Sequence, residues 1–259
     1  KLAKGDYIAR IDADDIAFPQ WLAAQVEGAK THPDCAVVSL SIVQMDPLGC
    51  VEKIHGVYNF REQLFIRSLT HSPINHGGCL MKKNIILEEG GYDPAFKIAA
   101  DYDLWSRLLQ KGHCFFSTNY IGMAIRVHQQ SLSRASEDKL KEELKKIMFN
   151  NISAFTDYSI SEHELDIVLR LFCNMKDLSK KEVSIAEAVF RKIILSRKKE
   201  LGISEVLCHQ YIKDIERENK IRFFSHFWKK SAALKYLVIL ARNVLRIKTA
   251  LKIRRFIIE

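Results

Sequence analysis

Three carboxylates fall within four residues at Asp12-Ala13-Asp14-Asp15, directly after the apolar run Tyr7-Ile8-Ala9-Arg10-Ile11. Carboxylates this close repel one another, and a bound cation is the usual remedy. Hard oxygen ligands suit Mg2+ or Mn2+, ions that commonly keep substrate phosphates as partners. The end of a strand is also where open α/β sheets place their ligands. The alternative is an exposed acidic turn that caps the helix after it. Asp101 is a second candidate. It opens a helical pattern, where the helix dipole keeps a carboxylate ionised near neutral pH. It sits one turn before Trp105, facing whatever pocket that ring lines. Such a group could take a proton from an attacking hydroxyl, or be an ordinary acidic first-turn residue, as Asp103 is. His128, at the end of a strand pattern, is either a third metal ligand or diphosphate contact or a structural histidine. His76 precedes Gly77-Gly78, glycines that would let backbone approach a ligand; a plain turn fits them equally.

These residues need elements to hold them. Pro19 suits the first position of a helix with Leu22, Val26 and Ala29 inward. A strand is expected over 36–43, with a turn at Asp46-Pro47-Leu48-Gly49 and a return strand over 51–54. Asn59 can cap a helix carrying Leu64, Phe65 and Leu69. Loop 75–79 enters a short strand, a short helix ends at Gly90-Gly91, and the Asp101 helix buries Leu104, Trp105, Leu108 and Leu109. Strands are expected over 114–120 and 123–127. From about Ser136 the texture becomes helix after helix, over 136–151, 161–174, 179–201, 204–219 and from about Phe227. Ser161 with Glu164 and Ser179 with Glu182 have capping-box spacing. The expected division is 1–134, α/β with a mixed sheet, and 135–259, an all-α extension.

Of the 259 residues, 47% are hydrophobic, enough for a real core. The six cysteines have no CxxC spacing and read as buried, reduced thiols of a cytosolic chain. No apolar run approaches the ~18 residues of a membrane span. The net charge of +9 resides in residues 221–259, which hold ten Lys/Arg against Glu259 alone. Leu234, Leu237, Val238, Ala241 and Leu245 fall on one face there, with Lys235, Arg242 and Arg246 on another. A basic amphipathic helix points to an anionic membrane surface; a solvated helix packed on the domain is the alternative. No RNA- or DNA-binding signature or base-stacking pattern is present, which argues against nucleic acid.

Taken together, the chain resembles glycosyltransferase family 2 with the GT-A fold, across roughly residues 1–134. The residues that carry the likeness are Ala3 to Ile16 with Pro19, His76 to Lys83, Gly90-Gly91-Tyr92-Asp93, Ala100 to Trp105, and Arg126-Val127-His128 with Ser131 and Ser133. The resemblance implies inverting transfer of a sugar from a UDP- or GDP-linked donor to a glycan or lipid-linked acceptor, with Mg2+ or Mn2+ on the diphosphate. Asp12 and Asp14 match the nucleotide-sugar-binding acids, Asp14, Asp15 and His128 the metal ligands, and Asp101 the base. His76, Gly77, Gly78 and Trp105 fall on the acceptor side. Two positions depart from the family pattern: Ala100 replaces a usual glutamate, and Gly77-Gly78 a usual proline. The family also carries nucleoside-binding βαβ units ahead of such a stretch, so the chain is expected to be the C-terminal part of a longer catalytic domain. A role in cell-surface polysaccharide synthesis is expected, peripheral to the cytoplasmic face of the membrane. A non-catalytic, membrane-associated scaffold is the first rival. A nucleotidyltransferase would want a glycine-rich basic loop that these residues do not contain.

Overall fold

The structure is a computed structural model that describes residues 2–55, 61–127, 136–173 and 178–228. It divides into two compact units, 1–204 and 205–259.

The first unit is built on a mixed sheet. Its strands are β1 (Tyr7–Ala9), β2 (Ile16–Ala17), β3 (Cys35–Met45), β4 (Val51–His55), β5 (Leu80–Lys82) and β6 (Cys114–Arg126). Their order is β1-β5-β3-β6-β2, with β4 beside the second half of β3. β3 and β6 run parallel, from Cys35 opposite Cys114 to Met45 opposite Arg126, and the other pairs are antiparallel. The largely apolar character of β3 follows from this, because a central strand is covered on both faces; all but one of its residues are buried, and buried Ser39 pairs with Ser117 at 2.6 Å. β6 is one strand, not the expected two, since its interruption at 118–121 is a shift in register along β3 and not a chain reversal. The Asp46 turn forms as read, its Oδ1 accepting the Leu48 and Cys50 N–H groups at 2.9 and 2.8 Å.

Helix α1 (Trp21–Thr31) departs from its expected face. Leu22 and Val26 are exposed, and Gln25, Gly28 and Ala29 are buried. The reason is close approach: a Cβ on Gly28 would sit 2.9 Å from Val38 Cγ1, so only the small face of the helix fits against the sheet. Pro19 precedes this helix instead of opening it. Helices α2 (Arg61–Ser68), α3 (Lys83–Glu88) and α4 (Ala100–Gln110) follow. Leu64, Phe65 and Ile66 of α2 and Leu104, Trp105, Leu108 and Leu109 of α4 are core residues.

Past β6 come α5 (Glu137–Phe155), α6 (Glu162–Phe172) and α7 (Lys180–Leu195), then a 3-10 turn at Lys199–Leu201. Both capping boxes form, with Ser161 Oγ accepting from Glu164 N–H and Ser179 Oγ from Glu182 N–H, each at 3.3 Å. A cap of this kind is worth about 1 kcal/mol. Helices α5 to α7 lie in the same compact unit as the sheet.

The cysteines correct one expectation. Cys35 and Cys114 are joined as a disulfide across β3 and β6, while Cys50, Cys79 and Cys173 are free. The pair is 79 residues apart in sequence, so spacing gave no sign of it; the parallel register brings the two together.

The described part of the second unit is a single helix, α8 (Glu205–Trp228). The amphipathic pattern over 234–246 lies outside the described residues, as do Asn59 and His128. Among the described residues no helix is long and apolar enough to cross a membrane.

Candidate functional site

Residues 72–79 form a loop that joins the acidic turn on one side to Asp101 on the other. Just past β1, the Arg10 N–H donates to Cys79 O at 3.0 Å and the Gly78 N–H donates to Arg10 O at 3.1 Å. The strand pairing therefore runs on into the turn, and it sets Asp12 to Asp15 beside Gly77. The approach is close, since a Cβ on Gly77 would lie 3.3 Å from Asp15 Oδ2. Gly78 has φ +76°, a left-handed conformation that favours glycine, and its carbonyl accepts a hydrogen bond from buried Gln25. At the other end of the loop the Ser72 hydroxyl donates to Asp101 Oδ2 at 3.3 Å.

Within the turn, the three carboxylates differ. Asp12 meets the Arg10 guanidinium with both oxygens, Nη1 to Oδ2 at 2.6 Å and Nη2 to Oδ1. Asp14 is exposed. Asp15 is half-buried and accepts the Arg126 N–H at 3.1 Å, while Arg126 Nε reaches Asp14 O at 3.4 Å. Burial raises the Asp15 carboxyl, and the charges of Asp12 and Asp14 add to this against the Arg126 hydrogen bond and Arg10. The end of β6 is thus fastened to the acidic turn two residues before His128, which itself lies outside the described residues.

Asp101 is the second residue of α4 and partly buried. The expected helix effect is present, as hydrogen bonds from its own and the Tyr102 N–H lower its pKa, together with Ser72 and the charge of Arg10. Burial is the larger cause, and the net shift is upward. A raised carboxyl is a stronger base, closer to the range useful for proton abstraction.

Between the turn and Asp101 sit two rings. His76 Nε2 lies 2.7 Å from the Tyr92 hydroxyl. Burial, helped by the charge of Arg10, pushes the His76 ring down to about 3, so it is a neutral hydrogen-bonding group. Burial pushes the Tyr92 phenol up to about 12; the charge of Arg10 opposes the shift, and those of Asp101 and Asp12 add to it. Residues distant in sequence therefore converge around one hydroxyl. Trp105 is fully buried, meeting His76 edge to face at a centroid distance of 6.0 Å. It backs the His76 ring and does not face the solvent side of the site.

Among the described residues, no group of three or more His, Cys, Asp or Glu is arranged as a metal cage. Mg2+ and Mn2+ need no such cage, since one or two carboxylates with substrate phosphates suffice. The oxygen donors of the turn fit that requirement, and while burial is the main cause that raises Asp15, the added repulsion from Asp12 and Asp14 is what a cation would relieve.

The sequence pointed to Asp12, Asp14, Asp15, His76, Gly77, Gly78 and Asp101, and the structure gathers them along this loop. Arg10, Ser72, Tyr92 and Arg126 were not singled out as site residues. Arg10 alternates with apolar neighbours in a strand, and its charge was the one available signal.

The family model described as glycosyl transferase family 2 matches residues 1–90. The chain is 24% identical over 106 residues to the amylovoran biosynthesis glycosyltransferase AmsE of Erwinia amylovora, covering 41% of this chain and 39% of that protein. It is 30% identical over 146 residues to the uncharacterized glycosyltransferase MJ1057 of Methanocaldococcus jannaschii, covering 54% of this chain and 49% of that protein. The chain thus spans less than half the length of these relatives. A solved structure of the mannosyltransferase PcManGT from Pyrobaculum calidifontis, in complex with GDP-Man and Mn2+, aligns loosely, at TM-score 0.41 and 14% identity over 88% of this chain and 64% of that one. Residues 1–90, which hold the acidic turn and the 72–79 loop, are thus the part of the chain that is similar to glycosyl transferase family 2.

Proposed function

We propose that this chain transfers a sugar from a nucleotide-sugar donor to an acceptor hydroxyl, with inversion, in a single displacement. The observation that carries the reading is the 72–79 loop, which ties the acidic turn and the Asp101 carboxylate to one stretch of backbone. The match of residues 1–90 to the glycosyl transferase family 2 model supports it.

Asp101 is the base. Its raised carboxyl takes the proton of the acceptor hydroxyl as that oxygen attacks the anomeric carbon, while Ser72 and the first N–H groups of α4 hold it in place. Asp12 and Asp14 would engage the nucleotide sugar, and Asp14 and Asp15, with His128, would hold the divalent ion. Mg2+ or Mn2+ bound there supplies stabilisation of the charge on the departing diphosphate. One protein carboxylate then suffices for acid–base work, unlike the pair a glycosidase needs. Neutral His76, braced by Trp105 and Tyr92, lines the acceptor side together with Gly77 and Gly78.

The acceptor is a glycan or lipid-linked glycan of cell-surface polysaccharide synthesis, a setting supported by the likeness to the amylovoran enzyme. The basic stretch 221–259 holds the protein at the anionic cytoplasmic face of the membrane, where such acceptors reside.

The test is nucleotide release from UDP-glucose, UDP-galactose, UDP-N-acetylglucosamine and GDP-mannose, with Mn2+ and with EDTA. Release with at least one donor, lost in EDTA, is expected. No release from any of them, under conditions where the protein is folded, would overturn the reading.

A further inference from the structure

Glu143 belongs to α5, well past the acidic turn and Asp101 in sequence, yet its carboxylate reaches the start of α4. Oε1 accepts the Lys97 N–H at 2.8 Å, and Oε2 accepts the Ile98 and Ala99 N–H groups at 2.9 and 2.8 Å. The side chain is only 6% exposed. Successive backbone N–H groups turned toward one point form a nest that binds anions, and bonds to an ionised acceptor are about twice as strong as neutral ones. Burial pushes the Glu143 carboxyl up, but the three N–H groups and the charge of Lys139 outweigh it and hold it below its usual value.

Asp101 follows Ala99 by two residues, and its carboxylate accepts the Ser72 hydroxyl at 3.3 Å. The clamp on 97–99 therefore holds the backbone immediately ahead of Asp101.

Farther along, α5 grips the same helix again. Asn151, fully buried, donates through Nδ2 to Ser68 O at 2.6 Å and to Ser106 Oγ at 2.8 Å, and its Oδ1 accepts from Gln110 Nε2 at 2.9 Å. Tyr102 hydroxyl donates to the same Ser68 carbonyl at 2.6 Å. α4 cannot rotate or slide against α5 without breaking these bonds.

We infer that Glu143 is a positioning residue for transfer: by clamping the backbone of 97–99 it fixes the start of α4, and with it the direction in which Asp101 presents its carboxylate. This rests on the reading of Asp101 as the base. The clamp acts through backbone, so it needs a full carboxylate with both oxygens engaged. Gln at this position keeps the shape and one acceptor oxygen but loses the charge and the second acceptor.

The test compares wild type with Glu143→Gln, Glu143→Ala and Asp101→Asn. It uses amide hydrogen exchange at 97–99 without substrate, and steady-state nucleotide release with the donor that the four-sugar panel selects. For folded Glu143→Gln, exchange at 97–99 should rise about tenfold. Its kcat should fall about 10- to 100-fold, since small misplacements of a reacting group cost this much. Donor KM should stay within about twofold. Glu143→Ala should lose more, and if it does not fold, the glutamine variant decides. Faster exchange with unchanged kcat, beside an inactive Asp101→Asn, would overturn the positioning role and leave the base standing. Unchanged exchange would overturn the clamp itself. Full turnover in Asp101→Asn would remove the base, and the positioning role with it, even if the exchange result held.

Discussion

Arg10 and Asp12 form a two-pronged ion pair while the backbone of Arg10 is hydrogen-bonded in both directions to Gly78 and Cys79. One residue thus links the acidic turn to the loop that leads to Asp101. Its charge lowers the pKa values of Asp101 and His76, and so favours the ionised carboxylate and the neutral ring.

Replacing Arg10 with Gln should raise the Asp101 pKa further, because the cation that opposes the burial shift is gone. The base must be ionised to act, so the acidic limb of the kcat/KM profile moves to higher pH and activity at low pH falls first. A pH–rate profile with an unmoved acidic limb would show that Arg10 exerts no such control.

Asp101→Asn should lower kcat by about 10²- to 10⁴-fold, the usual worth of a positioned general base. Asn keeps the shape and one acceptor oxygen, enough to hold the Ser72 hydroxyl, so donor binding measured by calorimetry should be close to wild type. Turnover near the wild-type level would remove Asp101 from this role.

Asp14→Ala and Asp15→Asn should each weaken the Mn2+-dependent part of donor binding. Asn is chosen at Asp15 because it keeps an acceptor for the Arg126 N–H, and leaving that donor unpaired would cost about 1–3 kcal/mol. Titration of GDP- or UDP-sugar with and without Mn2+ reads the effect. Equal metal dependence in both variants and wild type would place the ion elsewhere.

Gly78→Ala should destabilise the fold by about 1–2 kcal/mol from its left-handed backbone alone. The new Cβ would also lie 2.9 Å from the Sδ of Met123, which is fully buried. A thermal midpoint lower by roughly 2–8 °C is expected, together with a raised acceptor KM because the loop carries His76. A midpoint equal to wild type would mean the loop relaxes without cost.

Deleting 221–259 should abolish sedimentation with vesicles containing anionic lipid while leaving neutral vesicles unaffected. Persistent binding to anionic vesicles would show that the anchor is elsewhere.

Much of this was legible in the residues. The capping boxes at Ser161 and Ser179, the Asp46 turn, the β3–β4 hairpin and the Asp101 helix each depend on neighbours in sequence, and local chemistry sufficed. Helix α1 misled because Leu22, Val26 and Ala29 make a plausible stripe, and only the close approach of Gly28 to Val38 turns the helix otherwise. Nothing in the neighbouring sequence marks Glu143, since its three partners lie 44 to 46 residues away. Arg10 was hidden for a related reason: its role comes from a strand pairing with 78–79 that periodicity does not reveal. The Cys35–Cys114 pairing likewise depends on register between distant strands.

The grip of α5 on α4 bears on how such proteins can be recombined. An acceptor side borrowed from one transferase and a helical extension from another would meet at Glu143 and Asn151. A chimera joined between β6 and α5 would inherit Asp101 from one parent and Glu143 from the other. Matching the parents at 97–99, Ser68 and Ser106 is therefore the condition for exchanging parts at that seam, more than any likeness of the acidic turns.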